Sequence, residues 1–260
     1  MITALISLFF LHLTFAPLGA MSLWRRYSYL ADAISHASLL ATTISSVYLL
    51  KIELVWPVFI LLFACSFYLM QKTYEQHKLD SSPNLLLLSC FFLACALLII
   101  GKGNECSHEL EDILFGDFQH ASSEYMPLIF ALSVFTLLFF GFCYKKLLMM
   151  AIDPSCALQI ANWRRVAQDL CFLINLTAAI CIALQFLGAL LTSSMLITPA
   201  LTARFISKSP LGMIMFTFVI GLATSCVGLT LSHYYQISFS AITAFIGVIL
   251  YFIIKIWKQS

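Results

Sequence analysis

With 260 residues, 62% of them hydrophobic and 10% charged, the chain falls well below the charge content of an ordinary soluble domain, which is about 25%. No soluble core could hide that much apolar surface, and a formal net charge of +2 is too small to draw a nucleic-acid partner. Length therefore counts membrane spans, and the chain reads as one all-α integral membrane domain over 1–260, in contact with the lipid bilayer along its length. Seven of its nine cysteines lie within apolar runs and none forms a C-x-x-C pair, so they read as small packing residues, not as a disulfide or zinc framework.

A spanning helix needs about 20 mostly apolar residues. Taken in chain order, such runs fall near 2–21, 29–50, 54–71, 84–101, 126–144, 169–186, 187–203, 211–232 and 237–255, giving nine expected spans. The first has no basic residue before its apolar core and Arg25 and Arg26 after it, so it is expected to be a retained helix, not a cleaved signal. His12 within it has no acidic neighbour at helical spacing and reads as a satisfied polar residue.

The second run carries the sharpest local signal. Asp32 and His36 are four apart and stack on one helix face, and Ser35, Thr43 and Ser46 fall within about 60° of Asp32 on that face at 100° per residue. A carboxylate with an imidazole suits zinc, manganese or iron, with hydroxyls to orient ligands or water. The structural reading stands beside it: Asp32 near the start of the span also favours the helix dipole, or pairs with Arg25 or Arg26. Spacing leaves both open.

Between the fourth and fifth spans, residues 102–125 hold six carboxylates with His108 and His120. His108-Glu109 begins like the zinc protease signature H-E-x-x-H, but Asp112 stands where the second His is needed. Between the fifth and sixth spans, an inner loop is expected near 145–168, with Asp153-Pro154-Ser155 as a turn and helix start between two basic pairs. The sixth and seventh spans run together without a polar break, and length with charge alternation puts their division at Gly188. In the seventh, Ser194, Thr198 and Thr202 recur every four residues around Pro199. Such a stripe packs helices through hydroxyl bonds; the pathway reading is that Pro199 kinks the helix and exposes backbone.

Basic residues set the expected orientation. With the N-terminus outside and the C-terminus cytoplasmic, twelve of the fourteen Lys and Arg lie on the inner side and only Lys51 and Lys102 outside. No phosphate-binding G-x-x-x-x-G-K-[ST] loop occurs, since Gly101-Lys102 lacks its surroundings. The chain is thus expected to be no enzyme, and any ATP that drives it is hydrolysed on another chain.

Several ordered motifs carry a resemblance: Ala16-Pro17-Leu18-Gly19, Trp24-Arg25-Arg26-Tyr27-Ser28-Tyr29, Asp32-Ala33-Ile34-Ser35-His36-Ala37-Ser38-Leu39-Leu40, Leu114-Phe115-Gly116-Asp117, Gly188 to Leu191, and Ser194 to Arg204. Together they resemble the ZnuB-like permeases of the ABC-type zinc, manganese and iron importers, over nearly the whole chain. The resemblance implies a homodimeric bacterial inner-membrane permease that receives Zn2+ (or Mn2+ or Fe2+) as cargo from an extracytoplasmic metal-binding protein. Two cytoplasmic ATP-binding subunits would drive it, and no prosthetic group is implied. It maps metal contacts onto Asp32 and His36, and ATPase docking onto Asp153-Pro154-Ser155-Cys156-Ala157. The family's Gly before the second-span Asp is Ala31 here, the Gly after the Leu pair is Ala41, and the docking-loop Glu is Ser155 or Cys156. The second and seventh spans are expected to line a pathway at the dimer interface.

Two rivals come from other classes. A stand-alone cation carrier or channel would show several intramembrane carboxylates or a selectivity ring, whereas Asp32 is the only acidic residue well inside an expected span. An intramembrane metallohydrolase needs a general base beside a ligand cluster, and one Asp/His pair is too few.

Overall fold

A segment in lipid must close its backbone hydrogen bonds within itself, which favours helices. The structure, a computed structural model, describes residues 2–27, 29–47, 82–101, 125–152 and 162–259, and their secondary structure is entirely helical. In chain order the helices are α1 (Ile2–Trp24), α2 (Leu30–Val47), α3 (Ser82–Ile100), α4 (Met126–Ile152), α5 (Asn162–Ile206), α6 (Pro210–Tyr235) and α7 (Phe239–Gln259). Five stretches are long and apolar enough to cross a membrane: Thr3–Trp24, Met126–Ile152, Trp163–Gln185, Pro210–Tyr235 and Phe239–Lys258. The run expected at 54–71 and the acidic segment near 102–124 lie outside the described residues.

α5 is two helices that meet at a sharp break. Gly188 has φ 76° and ψ 166° within an otherwise helical run, a backbone region essentially reserved for glycine. Residues 162–187 and 189–206 therefore form separate halves, with the break where the sequence division fell. The carbonyls freed there are taken up: Ser240 of α7 donates to Leu187 O at 2.8 Å, and Thr192 to Gly188 O at 2.8 Å. Helical backbone continues through Pro199, and the break falls at Gly188, where a residue without Cβ permits it.

α1 ends sharply. Tyr27 N donates to Ser22 O at 2.8 Å and Arg26 N to Leu23 O at 3.2 Å, with Arg26 left-handed at φ 60°. This Schellman turn satisfies the last carbonyls of α1 and lets α2 begin at Leu30. The loop expected over 145–168 is shorter than its basic pairs implied. α4 continues through Lys145 and Lys146 to Ile152, and α5 already begins at Asn162, because long basic side chains ride on helix ends with their charges in water.

α1 and α5 form the centre. α5 packs on α1, α2, α4, α6 and α7, α1 also on α4 and α6, and α3 on α2. Gly19 permits the closest approach: a Cβ there would collide with the Leu196 carbonyl oxygen, so α1 and the second half of α5 meet backbone to backbone, as small residues allow in membranes. The outer surfaces of α3, α4, α6 and α7 expose large apolar side chains, Phe91, Leu98, Phe142, Met215, Phe245 and Ile256 among them. Water would not tolerate such a continuous apolar surface, but hydrocarbon does.

Candidate functional site

α2 places its polar stripe against neighbours of different kinds. Ser35 and Thr43 are buried, whereas Asp32 and His36 are half-buried. Thr43 spends its hydroxyl on Leu39 O at 2.8 Å. Ser38, on the adjoining face, meets Cys181 of α5 with 3.3 Å between oxygen and sulfur. Among the described residues, the Ser35 Oγ and the His36 Nδ1 are buried and have no hydrogen-bond partner, and such orphaned atoms are uncommon in folded chains. The side chain of Ser46 lies outside what is described. Among the described residues, no three His, Cys, Asp or Glu gather closely enough to hold a metal ion, so Asp32 and His36 stand as a pair.

Arg25 does not serve Asp32 as its pairing partner in an ion pair. Its Nη1 donates to Asp169 Oδ1 at 2.8 Å, and both side chains are under one-tenth exposed. The guanidinium also lies over the Phe172 ring, 5.0 Å from its centroid. Asp169, at the edge of the expected sixth span, stands about two turns inside α5. Sequence reasoning passed over it, although an acidic residue entering an apolar run signals a partner elsewhere.

Ser194, Thr198 and Pro199 line a narrow cleft together with Met195, Thr224, Thr243, Ala244 and Gly247. Its walls come from α5, α6 and α7. Ser194 bonds back to Leu191 O at 3.0 Å and Thr202 to Thr198 O at 2.8 Å. These hydroxyls serve their own helix. Thr243 Oγ1 is buried and has no hydrogen-bond partner among the described residues. His12 is satisfied, sharing a 2.7 Å hydrogen bond with Ser225 of α6 through Nε2. Residues Asp153 to Ala157, expected to dock an ATPase, lie outside the described residues.

With this geometry in view, the comparisons with known proteins fall into line. The chain is 31% identical over 246 residues to the high-affinity zinc uptake system membrane protein ZnuB of Buchnera aphidicola, covering 93% of this chain and 92% of that one. It is 27% identical to ZnuB of Haemophilus influenzae, over 90% of this chain and 88% of the relative. It is 29% identical to the manganese transport system membrane protein MntC of Listeria innocua, over 91% and 82%. Among solved structures, PsaBC from Streptococcus pneumoniae in complex with Fab superposes with a TM-score of 0.77 at 26% identity, covering 96% of this chain and 89% of that one. The profile described as the ABC 3 transport family matches residues 1–258, and the chain therefore belongs to the ABC 3 transport family.

Proposed function

We propose that this chain is the permease subunit of an ATP-driven importer that carries a divalent metal ion, zinc foremost and manganese or iron next, across the bacterial inner membrane. The observation that carries the reading is the Asp32–His36 pair: one carboxylate and one imidazole, half-buried on a helix whose neighbouring Ser35 Oγ and His36 Nδ1 hold unused hydrogen-bonding capacity. Ionisable groups in such surroundings are costly and mark a pathway. A closed tetrahedral site would hold zinc too long for transport. Two protein ligands, completed by water or by a second copy of the chain, bind and release by exchange, and no covalent step is involved.

The zinc and manganese relatives support the cargo class, because carboxylate with imidazole serves both ions. In this reading the chain has nine spans with its N-terminus outside, works as a homodimer, and forms one permease domain. It docks two ATP-binding subunits through Asp153-Pro154-Ser155-Cys156-Ala157 and takes its ion from an extracytoplasmic binding protein.

Gentle extraction from the native membrane tests the assembly. A stoichiometric ATP-binding subunit whose turnover rises with metal-loaded binding protein is the expected result; a chain that emerges alone and moves metal in liposomes without ATP belongs to the carrier class instead. His36→Ala is expected to abolish metal uptake while the complex still assembles. Uptake at the unmutated rate removes His36 from the mechanism.

A further inference from the structure

We infer that Asp169 is a positioning residue for metal passage: by neutralising Arg25 at the α1–α2 turn, it keeps a buried positive charge from opposing a divalent cation at Asp32 and His36. This inference rests on the proposed role of that pair.

Three observations lead to it. Arg25 is fixed in place by the Schellman turn that ends α1, and Asp32 follows in the first turn of α2, so a cation and the candidate carboxylate flank one short connection. The Arg25 side chain is buried, and its Nη2 has no partner among the described residues. A buried charge is screened far less than an exposed one, and its unused donors retain a strong pull on any carboxylate. Finally, the compensating carboxylate comes from another helix altogether. Asp169 lies 144 residues away in sequence, closes at 2.8 Å, and is backed by Phe172 one turn further along α5.

Arg25 stands seven residues before Asp32 in sequence, yet the carboxylate it pairs with is the distant one, Asp169. With Asp169 in place the guanidinium is held against α5, and Asp32 keeps its charge for the cargo. Without it, an uncompensated cation borders the start of α2, where it repels an incoming dication and competes for Asp32. Either effect lowers ion occupancy of the pair without touching ATP hydrolysis on the partner subunit.

The test compares variants that all lack the ion pair but differ in the charge at position 25. Purified permease–ATPase complexes are reconstituted in liposomes with the metal-loaded binding protein, and Zn2+ flux and ATP hydrolysis are measured per complex. Asp169→Asn alone is expected also to lower the yield of folded complex, because it strands a buried guanidinium, so the decisive comparison is Arg25→Gln/Asp169→Asn against Arg25→Lys/Asp169→Asn. The neutral pair is expected to carry at least threefold more Zn2+ per ATP than the variant that keeps the cation. A ratio below threefold means the ion pair only holds helices together and overturns the inference. His36→Ala in the same liposomes separates the two readings: flux unchanged by His36→Ala removes the site itself, and this inference with it. Flux lost in His36→Ala with a ratio below threefold removes the role of Asp169 alone.

Discussion

α1 and α4 are both long apolar helices, yet 72% of the α1 span is buried in the molecule and only 22% of the α4 span. α6 and α7 resemble α4, at 33% and 17%. Apolarity does not separate the two groups, since lipid tails are as apolar as leucine and give no hydrophobic reason to bury one greasy face over another. Place in the bundle separates them, since α1 packs on α4, α5 and α6 at the centre, and small and polar groups line the buried faces of both kinds. α1 buries Ser7, His12, Thr14 and Ser22, and the inward face of α6 is Met213, Thr217, Gly221, Thr224, Ser225, Gly228, Leu229 and Ser232. The large apolar residues of α6, such as Met215, Phe216 and Val219, face outward. The small and polar stripe is the inward face of α6, whereas α1 at the centre also buries Leu8, Leu11, Phe15, Leu18 and Met21.

The comparison can be broken or sharpened at three places. Gly19→Val forces a side chain onto the Leu196 carbonyl. It is expected to cost about 1–3 kcal/mol or more, as overpacking does, read as a lower midpoint of thermal unfolding in detergent and a smaller folded fraction. An unchanged midpoint means α1 and α5 are not in backbone contact. His12→Leu keeps the volume but removes the bond to Ser225, and is expected to cost about 1 kcal/mol, in the range for cross-helix bonds in membranes. Suppressing that loss with Ser225→Ala shows that the cost is the stranded hydroxyl. Phe142→Ala, at a position 84% exposed on α4, is expected to stay within about 0.5 kcal/mol of the parent, as surface substitutions do. A larger loss by the same melting assay means that this face is covered by protein, not lipid.

Much of the architecture was legible in the sequence. Eight of the nine expected apolar runs fall on described helices, counting α5 as two, because hydrocarbon leaves a backbone few alternatives. The division at Gly188 was legible for a related reason: an unbroken apolar run too long for one span must turn somewhere, and glycine offers the lowest-cost place. At Pro199 the helical backbone continues. A proline removes one hydrogen bond but the helix absorbs it, whereas Gly188 leaves helical backbone altogether. Of the inner loop expected over 145–168, Lys145, Lys146, Arg164 and Arg165 are all helical.

Of the candidate site, helical spacing alone placed Asp32, Ser35, His36 and Thr43 on one stripe, because positions four apart on a helix share a face whatever surrounds it. Which of those groups keep free polar atoms was decided by tertiary structure. Thr43 turns back to Leu39 O, while His36 Nδ1 and Ser35 Oγ are left buried and unpaired among the described residues. The partner of Arg25 shows the same division most plainly. Sequence proximity offered Asp32, but the folded chain supplies Asp169 from 144 residues away. Composition and periodicity fix what a segment must do with its own backbone, since that is settled within the segment and its solvent. Pairing between side chains on different helices depends on which faces meet, and only the packed structure determines that.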